Sequence, residues 1–341
     1  MGRRAGRDSL PTPTPSRTGD LPPSGFRTPH VPDASDLAPD VRAGQRRAVA
    51  RALTAVENGL PGADELVDAL YPHTGQAWRI GVTGPPGAGK STLVDRLVAA
   101  FRQRGERVAV VAVDPSSPFT GGALLGDRVR MDRHAEDDGV FVRSLAARGA
   151  LGGLSEATEA ACDVLDAAGY DVVIVETVGV GQGEIDVAEA TDTTLVVLVP
   201  ESGDAVQAMK AGLMEVADVF CVNKADKPEA SALVRALRAA LHLRSAEAPA
   251  VVKASALKDD GVGDLVAALD AHRQRLAADW DAVRAERLRR RVRRLVEAGW
   301  RRDFWSVGRA EALADAVRQL DGAERAPHRL AARLLAGETA G

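Results

Sequence analysis

Residues Arg79-Ile-Gly-Val-Thr-Gly-Pro-Pro-Gly-Ala-Gly-Lys-Ser91 join a short apolar run to a glycine-rich loop, and the helical run Thr92 to Arg104 follows. A strand, a loop of the form G-x-x-x-x-G-K-[ST] and a helix, in this order, are typical of a phosphate-binding loop. Backbone N–H groups of such a loop surround the phosphates, and the helix N-terminus favours their negative charge. We expect Lys90 to reach the β and γ oxygens and Ser91 to bind Mg²⁺. The nucleotide-binding residues predicted in this loop are Gly84, Gly87, Ala88, Gly89, Lys90, Ser91 and Thr92.

Short aliphatic runs alternate with helical stretches between about residues 77 and 272. The alternation predicts βαβ units and therefore an α/β fold: a mainly parallel sheet with helices on both faces. Ligands of such sheets bind beyond the C-terminal ends of the strands. The predicted strands are Ala77–Thr83, Arg107–Val113, Val140–Arg143, Asp171–Glu176, Thr193–Val199, Asp218–Val222 and Ala250–Lys253.

Composition excludes several classes of protein. The chain has 341 residues, of which 45% are apolar, and a formal net charge of −4, which argues against a globally basic nucleic-acid binder. No apolar run reaches the roughly 18 residues that a membrane span needs. The cysteines Cys162 and Cys221 lie far apart in apolar segments and suit a reducing compartment. We expect a cytoplasmic protein that binds neither membrane nor nucleic acid.

The string Asn223-Lys-Ala-Asp226 directly follows the predicted strand that ends at Val222. A carboxylate there can accept hydrogen bonds from guanine N1–H and N2–H₂, a pair that adenine does not present, and Asn223 can bind the N7 and O6 side. Further along, a backbone N–H of Ser255-Ala256-Leu257 could meet guanine O6. We therefore predict GTP/GDP as the nucleotide, with Asn223, Lys224, Asp226 and the 255–257 turn as the guanine-binding residues.

A carboxylate ends the buried run Val172-Val-Ile-Val-Glu176, where it needs a partner. Many phosphate-binding-loop enzymes hold Mg²⁺ at this position with aspartate, so we expect Glu176 to hold it here. In the glycine-rich loop that follows, the Gly179 N–H can sense the γ-phosphate. Gln182 is a candidate for positioning the attacking water.

The segment from Asp114 to Met131 contains two prolines, three glycines and several hydroxyl residues, a composition that suits a mobile switch. Asp114 ends a strand beside the phosphate-binding loop, so a place near Mg²⁺ is plausible, and Asp127 could join when the loop closes. For Asp127 an ordinary surface loop stays an alternative.

Together these motifs resemble the MeaB/ArgK GTPases, chaperones of adenosylcobalamin-dependent acyl-CoA mutases such as methylmalonyl-CoA mutase. The resemblance covers about residues 40 to 300 and is carried by GPPGAGKS, DPSSPFTGGALLGDRVRM, RSLAARGALGGL, ETVGVGQGE, GDAVQAMKAGLMEVAD and NKAD. The class of GTPases to which this family belongs has glutamate in place of the usual aspartate at the end of the Mg²⁺-binding strand, and Glu176 matches it. Two features depart from the family pattern. Gly183 stands where the family commonly has serine, and Lys227-Pro228 replaces the usual polar sequence after the guanine motif.

Carried over position by position, the resemblance implies catalytic roles for Lys90, Asp127 and Glu176, beside the candidate Gln182. It implies a Mg²⁺ set of Ser91, Asp114, Asp127 and Glu176, and it adds a segment with Asp204, Gln207 and Lys210 that would couple the nucleotide state to the mutase. It also implies a homodimer. The expected division is a disordered proline-rich leader at 1–38, an N-terminal helical segment at 39–75, a P-loop GTPase domain at 76–272 and a helical dimerisation arm at 273–341.

Four alternatives stay open at this stage. The arginine-rich run from Arg287 to Leu295 could be a nucleic-acid patch, although a solvated helix whose apolar edge packs on a partner subunit is favoured. The activity could be that of a metal-delivery GTPase, although cysteines and histidines are scattered. A kinase or ATPase of amino-acid transport is a third reading, and a scaffold that only binds nucleotide is a fourth.

Overall fold

The computed structural model describes residues 33–115, 134, 136–147, 153–177, 183–200, 213–243, 248–319 and 326–337. Residues 1–32 of the predicted leader lie outside them. The described chain opens with a 3₁₀ turn at Ala34–Leu37, and one helix, Val262–Ala277, runs across the predicted boundary at 272. The division of the chain into four segments stays a prediction.

Seven parallel strands form one sheet in the described part of the chain, which confirms the predicted α/β fold. The spatial order is β3-β2-β4-β1-β5-β6-β7. Strands covered by helices on both faces read as continuous apolar runs, and this is how each was recognised in the sequence. The strands are β1 (Trp78–Thr83), β2 (Val108–Pro115), β3 (Val140–Ala147), β4 (Val172–Thr177), β5 (Thr193–Leu198), β6 (Val219–Val222) and β7 (Ala250–Lys253).

Twelve α-helices accompany these strands in the described residues. They are α1 (Ala38–Arg42), α2 (Arg46–Asn58), α3 (Ala63–Leu70), α4 (Lys90–Gln103), α5 (Gly153–Ala167), α6 (Gly183–Ala190), α7 (Leu213–Val216), α8 (Ala230–His242), α9 (Val262–Ala277), α10 (Trp280–Phe304), α11 (Val307–Gln319) and α12 (Pro327–Ala336). None of them is both long and apolar enough to cross a membrane.

Alternate residues of the central strands point to opposite faces of the sheet and build separate apolar clusters. On β4, Val172 and Ile174 pack against α4 and α9, whereas Val173 and Val175 pack against α5 and the helices α1 to α3. Helices α7 and α8 cover the other edge, over β5, β6 and β7. The N-terminal helices therefore share a core with the sheet.

A buried arginine stands at the start of the central strand β1. The Arg79 Nη2 donates to Asp163 Oδ1 at 2.7 Å and lies 3.5 Å from Asp166 Oδ2, and all three side chains are at most 3% exposed. Burial alone would lower the pKa of Arg79, but Asp163 and the neighbouring charges raise it above its ordinary value. Burial would likewise raise the pKa of Asp163, yet Arg79 and Arg291 hold it below the usual range. The pair is therefore fully ionised at neutral pH.

Helix α10 differs from the solvated helix that its composition suggests. Arg287 donates to Asp192, Arg291 to Asp163, and Arg294 to both Glu159 and Glu189. Because these arginines are four and three residues apart, they lie on one face of the helix. The carboxylates of Asp163, Glu159 and Asp192 are at most 2% exposed. Much of the arginine run is therefore used to attach α10 to the sheet domain.

Replacing Arg79 by methionine should destabilise the fold strongly. The change leaves the Asp163 and Asp166 carboxylates buried beside an apolar side chain, and breaking a buried pair in this way costs about 3–5 kcal/mol. Urea unfolding followed by circular dichroism measures the loss. The control is Arg289→Gln, which removes an exposed pair with Glu286 and should cost about 1 kcal/mol or less. Equal losses in the two variants would contradict the importance of the buried pair.

Candidate functional site

The carboxyl ends of three neighbouring strands meet at one edge of the sheet. Glu176 on β4 lies opposite Val82 on β1 and opposite Ala112 on β2. The loop that follows β1 begins two residues after Val82, so it starts beside Glu176. Asp114 stands two residues beyond Ala112 at the end of β2, and the structure describes its backbone only. The sheet register therefore gathers the predicted phosphate and Mg²⁺ residues from separate parts of the chain.

Glycines shape the loop between β1 and α4. Gly84 has φ of +137°, and a Cβ there would lie 2.1 Å from the backbone oxygen of Val197 on β5. Gly89 has φ of +82°, and a Cβ there would lie 2.6 Å from Asn223 Nδ2. At both positions a side chain would collide with a neighbouring element. The loop can follow this path close to β5 and β6 only because the residues are glycine.

Lys90 and Ser91 form the first turn of α4. The Lys90 Nζ, on a side chain that is almost completely buried, donates to the carbonyl oxygens of Gly84 at 2.8 Å and Pro85 at 3.1 Å. The Ser91 hydroxyl donates to Glu176 Oε1 at 2.6 Å, and Glu176 is itself buried. The Lys90 ammonium thus lies across the loop. The Ser91 hydroxyl and the Glu176 carboxylate lie side by side where the loop joins α4.

The Asn223 side chain connects the phosphate-binding loop to the 255–257 turn. Its Nδ2 donates to the carbonyl of Ala88 at 2.8 Å, and its Oδ1 accepts from the Ala256 N–H at 3.1 Å. Both Ala88 and Ala256 are buried. The Ala256 N–H, predicted as a candidate donor to guanine O6, therefore binds Asn223 in this structure. One amide group joins three of the predicted nucleotide-binding segments.

Asp226 lies beside the 255–257 turn. Its carboxylate accepts from the Ser255 hydroxyl at 3.0 Å and lies 3.6 Å from Lys258 Nζ. The hydrogen bond from Ser255, together with a backbone N–H and the Lys258 charge, lowers the pKa of Asp226. Asp226 is therefore ionised at neutral pH and can accept two hydrogen bonds from a ligand.

The remaining predicted residues fall into two groups. Thr92 is half-buried in α4, Lys224 has φ of +55° in the turn after β6, and the Leu257 side chain is 82% exposed. The others lie outside the described residues, so their predicted roles stay predictions. These are Asp127, Gly179, Gln182, Asp204, Gln207 and Lys210.

One residue of the region was missed by the sequence analysis. Arg96 on α4 donates through Nε to the carbonyl of Ala256 at 3.0 Å, and its Nη1 lies 3.7 Å from Asp259. This contact holds the 255–257 turn against the helix that begins at the phosphate-binding loop. An isolated arginine on an amphipathic helix carries no signal in the sequence that would identify such a contact.

Comparison with known proteins gives the family. The model of the family described as methylmalonyl Co-A mutase-associated GTPase MeaB matches residues 49–306, which is more than half of the chain. The chain belongs to this family. It is thereby a P-loop GTPase that binds guanine nucleotides and hydrolyses GTP.

Individual relatives span most of the chain. A protein of Pyrococcus abyssi that carries a GTPase name is 49% identical over 268 residues, which cover 77% of this chain and 81% of that protein. GTPase ArgK of Escherichia coli is 42% identical over 236 residues, covering 66% of this chain and 71% of ArgK. A crystal structure titled as a LAO/AO transport system kinase is 29% identical with a TM-score of 0.67, covering 89% of this chain and 97% of that one.

Two glycines of the loop should respond very differently to alanine. Gly84→Ala places a Cβ on the Val197 carbonyl and forces the backbone to move, a cost of about 2–5 kcal/mol from overpacking and left-handed strain. Gly87 has φ of +74°, but no atom of the described residues lies within 4 Å of an added Cβ, so Gly87→Ala should cost only backbone strain of about 1–2 kcal/mol. Urea unfolding without nucleotide measures both. Comparable losses would show that the approach to β5 does not constrain the loop.

Proposed function

We propose that the chain is a Mg²⁺-dependent GTPase whose hydrolysis of GTP to GDP and phosphate is coupled to an adenosylcobalamin-dependent acyl-CoA mutase. The coupled step would be assembly of the mutase, loading of its cofactor or protection of it, and methylmalonyl-CoA mutase is the favoured partner. The observation that carries the nucleotide chemistry is the contact between Ser91 and Glu176, which joins the phosphate-binding loop to the end of β4.

The donor set at this contact fits Mg²⁺. Hard cations take oxygen ligands, and Mg²⁺ is usually held by one or two protein groups together with substrate phosphates. The Ser91 hydroxyl and the Glu176 carboxylate are 2.6 Å apart and can serve one cation together. Mg²⁺ bound there would neutralise charge on the phosphate oxygens. Asp114 and Asp127 are the further candidates for its surroundings.

Lys90 is proposed to bind the β- and γ-phosphate oxygens. In this structure its ammonium is held by the carbonyls of Gly84 and Pro85, which are weaker partners than a phosphate. The phosphates of GTP would therefore replace these carbonyls as partners of an ammonium group that already lies within the loop. The first backbone N–H groups of α4 add donors at the same place.

Guanine would be read by Asp226 and Asn223. Asp226 is ionised and can accept from N1–H and N2–H₂ of the base. The Asn223 amide donates one hydrogen to Ala88 and carries a second that can reach N7. ATP lacks the donors that Asp226 needs, so ATP should not compete with GTP. Effective competition by ATP would favour the kinase or ATPase alternative.

The mutase partner is supported by the family description and by the name of one relative. A mouse protein named methylmalonic aciduria type A homolog, mitochondrial, is 34% identical over 243 residues, covering 65% of this chain and 59% of that protein. The segment with Asp204, Gln207 and Lys210 is the proposed link between nucleotide state and mutase.

A homodimer through the C-terminal arm is supported by the outer surface of α10. Its apolar side chains Leu288, Val292, Leu295, Val296 and Trp300 are 40–73% exposed and recur at helical spacing. An exposed apolar stripe of this kind marks an interaction site. A mass of one chain by light scattering would contradict the dimer.

Glu176→Gln should separate binding from hydrolysis. Glutamine still offers an oxygen to the Ser91 hydroxyl, so the loop and the affinity for GTP should persist, while the negative charge beside the cation is lost. Turnover should fall by about 10²-fold or more. Phosphate release and GTP affinity are measured separately, with Glu286→Gln on the exposed face of α10 as the control. Wild-type protein that releases no phosphate would favour the scaffold alternative.

Addition of the partner should accelerate turnover. GTPases of this kind are slow alone, because groups that complete the site come from a partner, and we expect a rise of about tenfold or more with methylmalonyl-CoA mutase. Phosphate release is measured with the mutase, without it and with serum albumin. An equal rate in all three would remove the proposed coupling and leave the GTPase activity intact.

A further inference from the structure

A cavity of about 170 Å³ lies where α10 meets α5 and the turn that leads into β1. It is remote from the nucleotide-binding loop, because Arg79 near the amino end of β1 lines it, whereas the loop follows the carboxyl end of the same strand. The charged side chains in its wall are Arg79, Arg284, Arg287, Arg291, Glu159 and Asp163. We refer to this cavity as the arginine pocket.

Cations outnumber anions in the wall, with four guanidinium groups against two carboxylates. Asp163 is engaged by Arg79 and Arg291. Glu159 is bound through Oε1 by Arg294, while its Oε2 lies 3.6 Å from Arg291 Nε and has no hydrogen bond within the described residues. Arg287 donates to Asp192, which does not line the pocket. Arg284 is the exception among these arginines, since no carboxylate of the described residues lies within ion-pair distance of it.

Arg284 is nevertheless held in place. Its guanidinium stacks 4.6 Å from the centre of the Trp280 ring, and a Cβ on Gly75 would lie 2.8 Å from its Nη1. Glycine at position 75 therefore leaves space for the guanidinium against the backbone. Burial, the largest influence, lowers the pKa of Arg284, while the charges of Asp192 and Asp166 raise it. A fixed guanidinium that no described carboxylate contacts favours an anionic ligand.

Two buried N–H donors in the same wall have no hydrogen-bond acceptor among the residues that the structure describes. They are Nε of Arg79, whose side chain is 3% exposed, and Nε of Arg284. Buried donors of folded proteins are normally satisfied, and an unsatisfied one costs about 1–3 kcal/mol. The two unsatisfied donors and the guanidinium of Arg284, which no described carboxylate contacts, favour the same kind of ligand, an anion that accepts several hydrogen bonds.

We propose that the arginine pocket binds a phosphate group, as free phosphate or as part of a small phosphomonoester. Guanidinium groups bind phosphate through two parallel hydrogen bonds, and several of them can serve its separate oxygens. The wall comes from α10 on one side and from α5 and the start of β1 on the other. A bound phosphate group therefore bridges the C-terminal arm and the sheet domain. The site is independent of the GTP site and of the proposed mutase partner.

The test measures thermal unfolding of the full chain saturated with GDP, because phosphate can also bind at the GTP site. Phosphate is compared with chloride at equal ionic strength. At ten times its Kd, phosphate should raise the midpoint by about 3 °C, and the shift should grow with the logarithm of the phosphate concentration. Glycerol 3-phosphate in a parallel titration distinguishes the two sources: tighter binding indicates a phosphomonoester, and weaker binding indicates free phosphate.

Variants locate the effect. Arg284→Gln should weaken the apparent phosphate affinity about tenfold or more, since a charged donor is lost. Arg289→Gln, an exposed change on the same helix, should leave the phosphate shift unchanged. Should Arg284→Gln fold poorly, Arg284→Lys keeps the charge, loses the planar fork and should still bind phosphate several-fold more weakly. An unchanged shift in the Arg284 variants, a phosphate shift seen only without GDP, or no shift beyond that of chloride would overturn the proposal.

Discussion

The position of the central strand depends on the buried charge of Arg79. Its guanidinium is paired with Asp163 and Asp166 on α5, and its backbone N–H donates to Asp192, just beyond α6. Asp166 also accepts the backbone N–H groups of residues 75, 76 and 77, so the chain enters β1 along one defined path. Charges buried in this way specify geometry, because each must keep its partner. Because the phosphate-binding loop directly follows β1, these contacts also fix the position of the loop.

At the other end of β1, Asn223 has an equivalent role for the nucleotide site. One amide ties the loop at Ala88 to the turn at Ala256, and Arg96 fixes that turn to α4. The phosphate-binding loop and the proposed base-binding turn therefore form one hydrogen-bonded unit. If the turn binds the base as proposed, Asn223 would couple the two halves of the site through the protein as well as through the ligand.

The sequence predicts those features that are recorded in local patterns. Continuous apolar runs predict the seven strands of the described sheet, and the glycine spacing before Lys90 predicts the loop between β1 and α4, because strand composition and glycine spacing are local properties. The Arg79–Asp163 pair joins residues 84 positions apart and could not be predicted, because neither residue carries a mark of burial. The arginines of α10 were misjudged for the same reason: a run of like charges indicates solvent unless the opposing carboxylates are known. The shared core of α1 to α3 with α5 is likewise a tertiary property.

Helix α10 has one face of arginines and one of apolar side chains, and none of its 25 residues is fully buried. Ion pairs act at defined distances and directions, whereas apolar contacts are adaptable and roughly proportional to area. The ion pairs of α10 consequently specify its orientation on the sheet domain. Its exposed apolar side chains are left for contact with the proposed partner. A foreign helix with the same apolar stripe, grafted at residue 280, would keep the surface proposed for the partner but would hold no fixed angle to the sheet.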